Sequence, residues 1–173
     1  MRLRLFHVSE TPGIAVFEPR PVPSLDAGVA GDAVWAIDEE HLPNYLLPRD
    51  CPRVTYCAGP GTTAEDRAHF IGGTARRIIV VEEEWQGRIA STPLYVYEMP
   101  LDRFLLADAS AGYYVSREAA RPVACVAVSD PLAEIAAHGC ETRFTAGLRA
   151  LSETVKSSTL DFSIVRIRNA GLR

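Results

Sequence analysis

The sequence predicts an α+β fold in a single globular domain over residues 1–173, with a bent or split, mainly antiparallel sheet. The length suits one domain with a sizeable core, because a chain of this size buries roughly 70% of its unfolded surface. Many short runs of β-branched and aromatic residues are typical of strands. The helical segments between them are irregularly spaced, so the strict βαβ alternation of a parallel sheet is missing.

The chain opens on a predicted strand and a long loop. Residues 3–8 alternate weakly between apolar and polar side chains, which indicates a first strand. Residues 11–32 contain prolines that exclude a regular helix, namely Pro12, Pro19, Pro21 and Pro23. We expect this loop to form one wall of a cleft, because long loops in compact domains are often functional.

The next elements are set by apolar runs and by capping residues. Residues 33–37 predict a buried strand, and Asp38 then suits the N-cap of a short helix that Pro43 interrupts. Residues 53–57 predict another strand. Thr63 follows a glycine-rich turn and caps a helix that extends to about residue 70.

The second half of the chain also mixes predicted strands with predicted helices. We predict strands at residues 77–81, 94–99, 104–107, 112–116, 122–128 and 160–167. We predict helices at residues 82–89, 130–137 and 145–156. Pro131 stands at the favoured first position of the second of these helices, and Leu148, Leu151 and Val155 form one apolar face of the third.

The composition limits the kinds of binding partner and the cellular compartment that we expect for the protein. The chain has 18 Lys+Arg against 22 Asp+Glu, and this net charge of -4 disfavours a duplex nucleic acid partner. No run of about 18 apolar residues predicts a membrane-spanning helix. The N-terminus enters the first strand without the apolar region of a secretory signal, so we expect a cytoplasmic protein with reduced cysteines.

The standard catalytic and metal-binding motifs are missing from the sequence. It contains no GxSxG, GxxxxGK[ST], HExxH or GxGxxG pattern. The spacing of His41, Cys51 and Cys57 matches no zinc template, so we predict no metal site.

Two pairs of residues suit a small-ligand site. His7 and Ser9 lie two residues apart on the first strand, so their side chains share a face beside the long loop. An imidazole there can hydrogen-bond to a ribose hydroxyl. Trp35 and Tyr45 lie on either side of a turn, where two aromatic rings can sandwich a flat ring such as nicotinamide or a base. Core packing is the alternative interpretation of all four residues.

The N-terminal third resembles the ADP-ribosyltransferase-like fold. The run LFHVS at residues 5–9 is similar to the Leu-Tyr-His-Gly-Thr/Ser first strand of that fold. Val34-Trp35-Ala36 with Asn44-Tyr45 resembles the Tyr-Phe-Ala … Ala-Asn-Tyr segment of the poly-ADP-ribose polymerase branch. The resemblance implies NAD as the substrate, His7 on its ribose, and Trp35 and Tyr45 on its nicotinamide.

The resemblance also implies a catalytic glutamate and a phosphate-binding arginine. Glu98 is our first choice beside His7, and Glu118 is the alternative. Arg49 is the chosen phosphate ligand, although Arg20 and Arg53 fit the same role. Val8 departs from the pattern, because the family has a glycine there that lets the backbone approach nicotinamide.

The whole chain also resembles an uncharacterised bacterial family. The run VWAIDEEHLPNYLLPRDCP at residues 34–52 and the run FSIVRIRNA at residues 162–170 carry this likeness, which brings no known activity.

The leading hypothesis is an ADP-ribosyltransferase-like protein that binds NAD or ADP-ribose and acts at the ribosyl C1′ atom. The alternative is a non-enzymatic domain that binds a small ligand or a protein. The sequence leaves the acceptor and the oligomeric state open.

Overall fold

The structure, a computed structural model, describes residues 3–21 and 30–171. Those residues form an α+β fold with two mostly antiparallel sheets, which confirms the predicted class and its mainly antiparallel strands. They divide into two compact units, one from residues 1–45 and 93–129 and the other from residues 46–92 and 130–173. Each unit has its own sheet and core and is described by itself. The single domain over residues 1–173 stays a prediction.

The elements are short. The strands are β1 (Leu5–Ser9), β2 (Val34–Asp38), β3 (Arg53–Cys57), β4 (Arg77–Glu82), β5 (Leu94–Met99), β6 (Leu105–Asp108), β7 (Tyr113–Ser116), β8 (Ala124–Val128), β9 (Cys140–Thr145) and β10 (Asp161–Val165). The α-helices are α1 (Ala64–Asp66), α2 (Gln86–Ser91), α3 (Pro131–Ala137) and α4 (Arg149–Lys156). A π-helical turn, Arg67–Ile71, extends α1 and ends at Gly72, whose φ of 67° suits glycine.

The first unit is built on a six-stranded sheet with the order β6-β7-β2-β1-β5-β8. Its neighbouring strands all run antiparallel in the described residues. Strand β1 pairs with β2 on one side and with β5 on the other, so Leu5 lies opposite both Asp38 and Met99. One face of this sheet carries the core of the unit, formed by Leu5, Phe17, Val34, Ala36, Tyr97, Met99, Phe104 and Ala120.

The first part of the proline-rich loop packs on this core face. The Tyr97 hydroxyl donates to the carbonyl of Thr11 at 2.8 Å and accepts from the N–H of Ile14 at 3.1 Å. The ring of Phe17 lies 5.1 Å from that of Tyr97 in an edge-on arrangement. The loop is therefore fixed to β5 without regular structure of its own. Residues 22–29 of the predicted cleft wall lie outside the described residues.

The second unit is built on a four-stranded sheet with the order β10-β3-β4-β9. Strands β4 and β9 are parallel, whereas the other neighbours are antiparallel. Strand β4 is buried along its whole length, as its run of β-branched residues predicts. Val155 of α4 and Leu148, which immediately precedes that helix, pack into the core together with Val54, Tyr56, Phe70, Ile71, Ile78, Val80, Leu160 and Ala170.

Strand β9 is the main element that sequence analysis misses. Residues 140–144 lie between two predicted helices and carry a mixture of polar and apolar side chains. The helix predicted to begin at Thr145 begins at Arg149 instead, because Thr145 is the last residue of β9. The strand conformation of β9 comes from parallel pairing with β4, which extends from Arg77 opposite Cys140 to Glu82 opposite Thr145. A long-range pairing of this kind leaves little local sequence signal.

The acidic run that begins at Glu82 also differs from the prediction. The sequence predicts a helix that begins at residue 82, but Glu82 is the last residue of β4 and is 2% exposed. Its carboxylate accepts from the N–H of Leu148 at 3.3 Å and from the N–H of Gly171 at 3.1 Å. Glu82 therefore joins the start of α4 and the C-terminal segment to the central strand.

Replacing this carboxylate should destabilise the protein. In Glu82→Gln an amide N–H₂ takes the place of one acceptor oxygen and faces a backbone N–H. Leaving buried donors unmatched costs about 1–3 kcal/mol. We expect the free energy of unfolding, measured by urea denaturation, to fall by that amount. Glu83→Gln is the matched control, because Glu83 is exposed. Equal stabilities of the two variants would contradict the role given to Glu82.

Candidate functional site

The residues that the sequence predicts for a site are distributed over both units. Five of them lie in the first unit, namely His7, Ser9, Trp35, Tyr45 and Glu98. Arg49 is exposed and belongs to the second unit. The candidate site is therefore described from the first unit alone.

His7 lies on β1 at the point where the pairing with β2 ends. Its Nδ1 atom is 2.8 Å from the carbonyl oxygen of Trp35, which can only accept, so Nδ1 carries the proton. The ring is partly buried and lies 4.6 Å from the ring of Phe17 in the proline-rich loop. The tautomer and the orientation of His7 are thus set by backbone and loop.

Ser9 ends the same strand, two residues after His7. Its hydroxyl accepts from the N–H of Thr11 at 3.0 Å, a local bond that starts the loop. Because side chains alternate along a strand, Ser9 and His7 share one face of the sheet, as predicted.

Trp35 and Tyr45 meet through a third aromatic residue, Tyr113. The ring of Tyr113 lies 5.5 Å from that of Trp35 and 6.3 Å from that of Tyr45, edge-on in both cases. The hydroxyls of Tyr45 and Tyr113 are hydrogen-bonded to each other. We call these three residues the aromatic cluster. All three side chains are partly exposed.

The indole of Trp35 carries an unmatched donor. Its Nε1 atom is buried and makes no hydrogen bond within the described part of the chain. A buried N–H without an acceptor costs about 1–3 kcal/mol. Such donors are uncommon in native proteins, so this atom calls for an explanation.

Sequence analysis missed Tyr113. The predicted strand at residues 112–116 does contain two adjacent tyrosines, which necessarily point to opposite faces. The observed register places Tyr113 opposite Ile37 and therefore on the face of Trp35. Only the pairing of β7 with β2, which the sequence does not specify, selects Tyr113 over Tyr114.

Sheet register separates His7 from Glu98. His7 pairs with Tyr97, whereas Glu98 pairs with Phe6, and paired residues in antiparallel strands share a face. The side chains of His7 and Glu98 therefore lie on opposite faces. Phe6 also pairs with Ile37, so the face of Glu98 is the face of Trp35.

Both candidate glutamates form ion pairs with arginines. Glu98 accepts from Arg4 at 2.8 Å and 3.2 Å, and this hydrogen bonding raises the pKa of the Arg4 guanidinium. Glu118 accepts from Arg103 at 2.6 Å on the exposed surface. Each carboxylate is therefore neutralised by an arginine in this structure.

Comparison with known proteins assigns the chain to a family. The family model described as a family of unknown function, DUF6886, matches residues 6–170. The chain belongs to DUF6886. This confirms the expectation of an uncharacterised family across nearly the full length. No curated protein and no solved structure shows significant similarity to the chain.

The described residues of this DUF6886 chain contain no cluster of three or more His, Cys, Asp or Glu side chains suited to a metal ion. Burial raises the pKa of the Cys51 thiol to about 12, so the free thiol is protonated at neutral pH. Across residues 3–21 and 30–171 no helix has the length and apolar character to cross a membrane.

The hydrogen bond between the hydroxyls of Tyr45 and Tyr113 should stabilise the folded protein. Tyr113→Phe removes it while keeping the ring, and we expect the free energy of unfolding to fall by about 0.5–1.5 kcal/mol in urea denaturation. Tyr114→Phe is the matched control, because that hydroxyl has no hydrogen-bond partner among the described residues. If both variants lose the same stability, the bond between Tyr45 and Tyr113 contributes nothing.

Proposed function

We propose that the chain binds a nucleotide of the NAD or ADP-ribose class, as an ADP-ribosyltransferase-like protein, with the aromatic cluster on its flat ring. One observation carries this proposal. The indole N–H of Trp35 is buried without an acceptor, next to a tyrosine ring that in turn contacts a second one.

A bound nicotinamide would give the aromatic cluster both a flat ring to contact and a hydrogen-bond acceptor. It offers a flat ring for contact with Tyr45 and Tyr113, and its carboxamide oxygen is an acceptor for the indole N–H. Bonding to that oxygen removes the cost of the unmatched donor, so ligand binding gains free energy that the free protein lacks. The resemblance in the N-terminal third gives Trp35 and Tyr45 the same role.

We assign His7 to the ribose, as the resemblance implies. Its Nδ1–H donates to the backbone carbonyl of Trp35, which orients the ring. Ser9 lies on the same face. The side chain of Trp35 points to the opposite face of the sheet, so its contact with His7 involves only the backbone carbonyl.

Transfer chemistry at C1′ is the second part of the proposal. A carboxylate near the ribose stabilises the oxocarbenium-like transition state. Glu98, which shares the face of Trp35 and is ion-paired with Arg4, is the proposed carboxylate. Arg49, the phosphate ligand chosen from the sequence, belongs to the second unit and takes no part in this proposal.

A non-enzymatic role in binding a small ligand or a protein is the second candidate. The placement of His7 and Glu98 on opposite faces favours it, because a transferase needs both groups at one ribose. Absence of any reaction with NAD, together with tight binding of another ligand, would support this alternative.

Intrinsic fluorescence tests the proposed function. Trp85→Phe leaves Trp35 as the single tryptophan, since the chain has two. NAD or ADP-ribose should then quench the emission of Trp35. By calorimetry, Trp35→Phe should raise the Kd for NAD about tenfold, because it removes one hydrogen bond and part of the ring contact. His7→Ala should weaken binding by a similar factor.

Trp85→Phe is also the control for calorimetry, because it removes an indole outside the first unit. Its Kd for NAD should equal that of the unaltered chain. No heat and no quenching with millimolar NAD, ADP-ribose or nicotinamide would overturn the proposal.

A further inference from the structure

Strand β8 forms an exposed edge of the six-stranded sheet. Within the described residues it pairs with β5 alone, from Ala124 opposite Glu98 to Val128 opposite Leu94. Four of its five residues are exposed, and Val126 at its centre is 64% exposed. The outer side of an edge strand presents a row of backbone N–H and C=O groups. A further strand can therefore add to the sheet at β8.

The other edge strands of the described residues have features that discourage such pairing. Strand β6 has four residues, an irregular register between Leu106 and Asp108, and an aspartate at its end. Strand β9 carries Glu141 and Arg143, and β10 begins with Asp161. Short length, bulges and charged side chains each protect an edge from another chain. Strand β8 lacks these protections, because its sequence ACVAV is uncharged and its register with β5 is regular.

The chain on either side of β8 carries charges of opposite sign. Arg121 comes three residues before the strand and Asp130 two residues after it, and both residues are exposed. When a second β8 pairs in the antiparallel direction, the end with Arg121 in one copy meets the end with Asp130 in the other. Parallel pairing brings like charges together instead. The charges therefore favour an antiparallel copy of the same strand as the partner.

We propose that β8 pairs antiparallel with β8 of a second copy of the chain, so that the two six-stranded sheets join edge to edge. This contact is two-fold symmetric, because each copy offers the same strand to the other. Full overlap of Ala124–Val128 puts Val126 on the two-fold axis, opposite its counterpart, and Ala124 opposite Val128. The pairing matches the outer backbone groups of both strands and sets no charged side chain of β8 against another. It is independent of the proposed nucleotide site.

Analytical ultracentrifugation tests the proposed dimer. The unaltered chain should show a reversible monomer–dimer equilibrium between about 10 µM and 1 mM, because pairing of one short strand buries less area than a stable interface needs. Val126→Lys puts two ammonium groups opposite each other at the axis, and the Kd of the dimer should rise about tenfold or more.

Two variants serve as matched controls for Val126→Lys. Val126→Thr keeps a β-branched, uncharged side chain at the axis, so the Kd should stay within about threefold. Leu105→Lys adds the same charge to the opposite edge strand β6, at a residue that is 76% exposed, and should leave the Kd unchanged. Far-UV circular dichroism shows that each variant is folded, as exposed positions predict.

A disulfide across the axis tests the register. Residues directly opposite in antiparallel strands have Cα atoms about 4.5–5.5 Å apart, which is within the usual range for a disulfide. In a chain with Cys125→Ser and Val126→Cys, oxidation with glutathione disulfide should therefore link two copies, as a non-reducing gel shows. The control combines Cys125→Ser with Leu105→Cys on β6 and should stay unlinked. Both variants keep the other three cysteines of the chain.

The outcomes decide the proposal. A chain that stays monomeric at about 1 mM overturns it, including the case in which β8 binds an extended segment of a different protein. A dimer whose Kd is unchanged in Val126→Lys uses another surface and overturns it as well. A dimer that is weakened by Val126→Lys alone and linked through Val126→Cys supports it.

Discussion

The position of β1 between β2 and β5 is the constraint on which the first unit depends. Its pairing with both neighbours fixes, for each residue of the central strand, which face of the sheet its side chain occupies. A shift by one residue would exchange Leu5 for Phe6 on the core face and turn His7 away from the loop. The core, the anchored loop and the aromatic cluster all depend on this register.

The same register explains how the candidate site is arranged. His7 faces the loop, whereas Trp35 and Tyr113 lie on the other face, and the carbonyl of Trp35 joins the two sides through Nδ1 of His7. The unmatched indole N–H belongs to the face of Trp35 and Tyr113, whereas Asp38 shares the opposite face with Leu5. The proposed contact with a flat ring is therefore confined to the face of Trp35.

The sequence predicts where the strands lie better than it predicts which strands pair with one another. Apolar and β-branched runs predict the ends of β1, β2, β3, β4 and β5 to within two residues, because burial on a pleated surface selects those side chains. The strand β9 and the burial of Glu82 were missed, since both depend on segments that are distant along the chain. Family membership over residues 6–170 was predictable from long sequence runs.

The candidate site shows the same limit. Trp35 and Tyr45 were recognised as aromatic neighbours of one turn, but Tyr113, which connects them, required the pairing of β2 with β7. His7 and Glu98 suit one ribose by residue type, and only the register of β1 with β5 reveals that they point apart. Alternation within a strand is local, whereas the relation between strands is not.

The most direct test of the account is the indole N–H signal of Trp35 in proton–nitrogen NMR. Two indole signals are expected, and Trp85→Phe identifies the one from Trp35. Saturation with NAD should move the Trp35 signal downfield and slow its exchange with solvent, because the buried donor gains an acceptor. A Trp35 signal that stays unchanged while calorimetry shows NAD bound would contradict the central claim.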